Sequence, residues 1–140
     1  MSDPAIFLPA VAMVVLTVAV LFGMFFERKR QVRSDGIHIR EIPSSSQMAA
    51  RFVDTRAADN YRNLFEMPVL FYLALGVVHA TAQVSPLVLG LAWGYVALRA
   101  LHSFIHCTYN KVMHRFYAFL ASNLLLWILW GVLAVGLLNG

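Results

Sequence analysis

From Met67 to Leu98 the chain reads MPVLFYLALGVVHATAQVSPLVLGLAWGYVAL, 32 consecutive positions without Asp, Glu, Lys or Arg. A single membrane helix needs about 20 apolar residues, so the stretch is too long for one ordinary crossing and too short for two. Thr81-Ala-Gln-Val-Ser-Pro86 divides it, with the proline placed where a new helix begins. Residues 67–80 remain on one side and 87–98 on the other. At 1.5 Å per residue neither piece crosses a hydrocarbon core about 30 Å thick. Both helices must run past the nearest charge, which places Glu66 and Arg99 inside the membrane or its interface.

Two further uncharged stretches flank this one, Pro4 to Phe26 and Phe116 to Gly140. The first is too long for a signal-peptide core, and Asp3, not a basic cluster, precedes it. The spacing predicts four spans, at about 5–26, 58–80, 87–107 and 115–138, in one domain covering 1–140. The expected fold class is an all-α integral membrane protein, a four-transmembrane-helix bundle. Composition agrees: 60% of the 140 residues are hydrophobic and 13% charged, against about 25% charged in soluble domains. Disorder is excluded by the same balance. One cysteine, Cys107, excludes an intramolecular disulfide framework.

The formal net charge of +4 does not point to nucleic acid, because the charges are grouped. Arg28, Lys29, Arg30, Arg33, Arg40, Arg51 and Arg56, seven of the 11 basic residues, fall in the 27–57 loop, and Lys111 and Arg115 fall in the third connection. By the positive-inside rule these segments are cytoplasmic. Within the loop, Ser44-Ser-Ser-Gln47 has capping-box spacing, and 47–60 contains neither Gly nor Pro. That predicts a helix running toward the second span.

Ionisable residues inside spans usually face a bundle interior, a cavity or a partner. Asp59, Arg62, Asn63 and Glu66 recur at steps of three and four, one stripe of the second span. Tyr95, Arg99, His102, Ser103 and His106 do the same on the third. Gly90 and Gly94 lie on the opposite face and would admit a close helix neighbour. Glu66 and Arg99 both sit roughly 12 Å in from the cytoplasmic helix ends, with Asn123 of the fourth span at a similar level. A Glu66–Arg99 pair is expected there. Two readings remain open for the layer: an ion pair that only holds helices in register, or a binding site for a small charged molecule. The additional polar groups favour a site. His102 and His106, at i and i+4, supply half of a metal site, but no acidic residue on that helix completes it and Arg99 repels a cation, so no metal is assigned. No P-loop, dinucleotide-binding or nucleophile motif is present, and no base-stacking pattern suggests a nucleic-acid partner.

Tyr61-Arg-Asn-Leu-Phe-Glu-Met-Pro68, with Asn63-x-x-Glu66 at its centre, resembles the signature of the MAPEG family, the membrane-associated proteins in eicosanoid and glutathione metabolism. Arg99-x-x-His102-Ser103-x-x-His106 and Arg115 match two further family positions. The four-span layout extends the resemblance over essentially the whole chain, as a bacterial-type member. It implies a homotrimer in which glutathione, as co-substrate, binds between subunits in the cytoplasmic half of the membrane, in a bacterial inner membrane. It also implies a transferase or peroxidase acting on a lipophilic small molecule from the bilayer. Arg99 and Arg115 are then the candidate catalytic residues, stabilising a thiolate. Arg62, Asn63, Glu66, His102 and His106 are the candidate substrate-binding residues, with Arg28 or Lys29 further out. One departure stands out: synthase members carry a tyrosine where this chain has His106. The rival reading is a non-catalytic scaffold or accessory subunit on the same fold.

Overall fold

A computed structural model of the protein describes residues 3–38, 40 and 44–139. Among these the chain forms helices and connections, with no strand. A 3-10 turn, Pro4–Phe7, leads into α1, Leu8–Asp35. Then come α2, Ser45–Arg51; α3, Arg56–Asn63; α4, Met67–Ala80; α5, Pro86–Cys107; and α6, Val112–Asn139. Counting α3 and α4 as one crossing, four segments are long and apolar enough to span a membrane. The expected all-α four-span architecture is the observed one.

The first span continues as helix well past Phe26. No Gly or Pro interrupts 24–35, and Glu, Lys, Arg and Gln are good helix formers. The helix ends where Gly36 adopts a left-handed conformation, φ 63°, which glycine takes without steric cost. The connection expected from residue 27 therefore begins only after α1 has projected roughly 14 Å beyond Phe26.

The continuous helix expected over 47–60 is broken. Ser44 caps α2 by accepting from the Gln47 amide (3.3 Å), but the helix stops at Arg51. Buried Gln31 of α1 captures the next segment. Its Oε1 accepts from the amides of Val53 and Asp54 (3.0 Å each), and its Nε2 donates to the Asp54 carbonyl (2.8 Å). These bonds hold 53–54 outside a helical path until α3 begins.

A second break divides the second crossing at 64–66. Pro68 has no N–H for the Leu64 carbonyl, and its ring opposes that carbonyl. The chain turns here through i→i+3 bonds, Phe65 to Arg62 (3.0 Å) and Glu66 to Asn63 (3.3 Å). Glu66 leaves the helical region altogether, with φ −93° and ψ −100°. The stripe Asp59–Arg62–Asn63–Glu66 assumes a single helix and does not survive this break.

The turn between α4 and α5 falls where the sequence places it. Ser85 caps α5 by accepting from Val88 (3.2 Å), and Pro86 occupies the first helical position. The core joins all four crossings through Met13, Phe71, Leu75, Ala92, Leu126 and Leu129. Phe71 of α4 stacks on Tyr95 of α5 at 4.4 Å. Helices α5 and α6 share the most extensive contact. A Cβ on Gly94 would come within 2.9 Å of Leu125 Cδ1, so Gly94 makes the close approach, and makes it to α6 of its own chain. Gly90 has open space beside it within the chain, so the close approach to α6 is made at Gly94.

Candidate functional site

The polar stripe of α5 is real and faces inward. Tyr95 and Arg99 have no exposed surface, His102 and Ser103 are 2% exposed, and His106 is 6% exposed. Helical spacing alone accounts for their common direction, since 95, 99, 102, 103 and 106 recur at about 3.6-residue intervals. The stripe meets different partners at its two ends.

At the deeper end is Arg99. Its Nη2 donates to both the backbone carbonyl (3.1 Å) and the side-chain Oδ1 (3.0 Å) of Asn63. Its guanidinium carbon lies 5.6 Å from the Phe119 ring centroid. That carbonyl, at the last residue of α3, accepts from the Glu66 amide (3.3 Å) and has a second lone pair for the Arg99 side chain. Nε and Nη1 of Arg99 are buried and have no protein partner. Tyr95 Oη, His102 Nε2, His106 Nδ1 and Asn123 Oδ1 are also buried without one. Buried polar groups are nearly always paired, so this concentration sets the inward face of α5 apart as the candidate site.

Toward the membrane surface, His102 Nδ1 lies 3.1 Å from the Arg115 carbonyl. The Arg115 side chain donates through Nη1 to Asn110 Oδ1 (2.8 Å). Asn63, His102 and Arg115 line an open groove of about 190 Å3 together with Val112, Phe116 and Phe119. Arg99 stands directly behind it, bonded to Asn63 and facing Phe119. On the other side of the stripe, Ser103 donates to Asn60 Oδ1 (3.3 Å), and Asn60 Nδ2 reaches Cys107 Sγ (3.5 Å). That contact ties α3 to the end of α5.

Four of the expected residues, Asn63, Arg99, His102 and Arg115, therefore come together, with buried His106 beside them (ring centroids 5.6 Å from His102). Two do not join them within the chain. Glu66 is exposed, and the ion pairs among the described residues are Arg30–Asp54 and Arg56–Asp54. The expected Glu66–Arg99 pair is absent because the 64–66 break turns Glu66 outward. Arg62, also exposed, borders a different crevice, between α1 and α3, with Glu27, Asp54 and Asp59. Phe119, Asn110 and Asn60 were not expected. Phe119 had a signal, lying four residues after Arg115 on one helix. Asn110 had a weaker one, as an asparagine in a connection, where its left-handed conformation (φ 49°) is tolerated.

An all-helical bundle with four membrane-length segments and a buried cationic site at one end defines a multi-pass integral membrane protein. A family model matches residues 6–135 of the 140, and the chain belongs to the MAPEG family. No curated protein and no solved structure matches it.

Proposed function

We propose that this protein binds glutathione at the groove in front of Arg99 and presents its thiol to a lipophilic electrophile from the bilayer. The observation that carries the reading is the unpaired half of Arg99: a guanidinium without exposed surface that leaves Nε and Nη1 free. Leaving such donors buried and unsatisfied costs about 1–3 kcal/mol each, and an anion recovers that cost best. Family membership supplies the ligand class.

Asn63 orients the Arg99 fork. Arg115, held by Asn110, places a second cation at the groove's entrance. Both favour the anionic form of a nearby thiol by electrostatics. The chemistry glutathione would supply is nucleophilic attack by its thiolate. On carbon it forms a carbon–sulfur bond as the electrophile's leaving group departs with the electron pair. On a hydroperoxide it breaks the O–O bond, giving a sulfenic acid and an alcohol, after which a second glutathione displaces water to form the disulfide. Phe116 and Phe119 give the groove an apolar wall suited to the second reactant. Glu66 and Arg62, exposed on the single chain, are assigned to contacts across a homotrimer interface, where Glu66 would meet the ligand amine.

Calorimetric titration of the detergent-solubilised protein with glutathione tests this, together with ultraviolet titration of the bound thiol. Saturable binding is expected, with the bound thiol ionising below the usual value of about 8.5 and Arg99→Met losing both effects. Absence of saturable binding by the wild type overturns the reading and leaves the scaffold role. Native mass spectrometry that finds only monomer overturns the trimer assignment.

A further inference from the structure

Helix α1 carries a second chemical pattern, on a face away from the groove that Asn63, His102 and Arg115 line in the same chain. Phe22, Phe25 and Phe26 are all more than half exposed. One and two turns further along come exposed Lys29 and Arg33. Phe22, Phe26, Lys29 and Arg33 recur at steps of four, three and four, so one continuous helix face passes from aromatic to basic. Phe26 closes the uncharged part of α1, so Lys29 and Arg33 stand about 5 and 10 Å beyond it. That is the level at which lipid head groups lie.

Two concavities meet on this face. One, about 440 Å3, runs between α1 and α2 and is lined by Phe25, Arg28, Lys29, Val32, Met48 and Phe52. The other, about 540 Å3, is lined by Phe26, Lys29, Arg30, Arg33 and Ser34. Lys29 borders both. Neighbouring cations are already engaged: Arg28 lies over the Phe52 ring at 5.9 Å, and Arg30 pairs with Asp54 at 3.6 Å. No acidic side chain lines either concavity. None of these residues lines the groove at Asn63, His102 and Arg115.

We propose that this face is a specific site for one anionic phospholipid, with the head-group phosphate at Lys29 and Arg33 and an acyl chain along Phe22, Phe25 and Phe26. Charge and depth together select this occupant. A zwitterionic lipid brings no net charge to the paired cations, and a soluble phosphate has no use for the aromatic surface. Each basic residue near a membrane surface contributes modestly to holding anionic lipid, and here two converge on one head group beside an apolar track.

The test is native mass spectrometry of the detergent-solubilised protein titrated with phosphatidylglycerol and, separately, phosphatidylcholine. One phosphatidylglycerol per protomer is expected to survive at detergent concentrations that strip phosphatidylcholine. Replacing both residues, Lys29→Gln with Arg33→Gln, should weaken that adduct roughly tenfold. The charge-matched pair Arg40→Gln with Lys111→Gln, neither residue lining these concavities, should leave it within about twofold. All four side chains are exposed, and circular dichroism verifies that both variants keep their helices. Glycerol phosphate should not displace the lipid. Equal retention of the two lipids, or equal loss in both variant pairs, overturns the site and reduces the patch to general attraction for a negative surface. Displacement by glycerol phosphate overturns the lipid assignment in favour of a soluble anion.

Discussion

Arg99 and Asn63 are joined by two hydrogen bonds from one nitrogen, Nη2 to the backbone carbonyl and to Oδ1 of the asparagine. The contact crosses from α5 to the last residue of α3, just before the second crossing breaks. It holds the buried charge through neutral oxygens, not through a carboxylate. Asn63→Leu removes one of the two acceptors and is expected to cost about 1.5–3 kcal/mol, the range for a hydrogen bond to a charged group. Arg99→Met in the Asn63→Leu background should cost less than in the wild type. A double-mutant cycle on detergent melting curves reads that coupling, and additive losses would mean the contact has no energetic weight.

The turn after α4 contains a correctable strain. Ala82 has φ 53°, which costs a residue with a Cβ about 1–2 kcal/mol. Its amide bonds the His79 carbonyl (3.2 Å) and the Gln83 amide bonds the Val78 carbonyl (3.0 Å). This is the paired pattern of a Schellman cap, in which glycine is the usual occupant. Ala82→Gly removes the clash while loosening the unfolded chain, so the net gain is about 1 kcal/mol. A rise of roughly 3 °C in melting temperature is expected for a chain of this size, and a fall would show that neighbours of the Ala82 methyl matter more than its backbone.

Much of this architecture follows from long-range regularities that a sequence carries openly. Uncharged blocks mark the crossings, and Ser85-Pro86 marks the start of α5. The 3.6-residue period brings Arg99, His102 and His106 to one face. The same regularity misplaces Glu66, because it assumes an unbroken helix across a proline whose effect is felt four residues upstream, at the Leu64 carbonyl. Gln31 was invisible for a different reason. It sits in a charged tract with no apolar pattern, and its three bonds go to residues 22 and 23 positions away. Only the packed structure brings those groups together.

The connector that Gln31 holds is also fastened by charge. Arg56 donates to both oxygens of Asp54, Nε to Oδ1 at 2.9 Å and Nη2 to Oδ2 at 2.7 Å. That hydrogen bonding, outweighing partial desolvation, holds the Asp54 carboxyl down to about 2 from an ordinary 3.8. A carboxylate with a lowered folded-state pKa stabilises fully above its unfolded value and loses that contribution as pH falls through the folded value. The stability difference between wild type and Asp54→Asn should therefore be constant from neutral pH down to about 5 and shrink between about 4 and 2. Melting curves across that range check the sign, and a difference that grows on acidification would contradict it.

Glu66 offers a way to separate the fold from the proposed chemistry. In the single chain it is exposed and forms none of the ion pairs found among the described residues. Surface substitutions of this kind usually leave stability within about 0.5 kcal/mol, so Glu66→Gln should melt with the wild type. If glutathione binds where a neighbouring subunit brings its amine to Glu66, the same substitution removes a charge-assisted hydrogen bond. Such bonds contribute about 1.5–3 kcal/mol, which corresponds to a loss of affinity on the order of tenfold to a hundredfold. Asn63→Leu should instead lower both stability and affinity, because it acts on Arg99 within the chain. Calorimetric titration with glutathione beside melting curves for both variants reads the two effects separately. Unchanged affinity in Glu66→Gln would remove Glu66 from the site, and a large drop in its melting temperature would assign it a structural contact in the assembly.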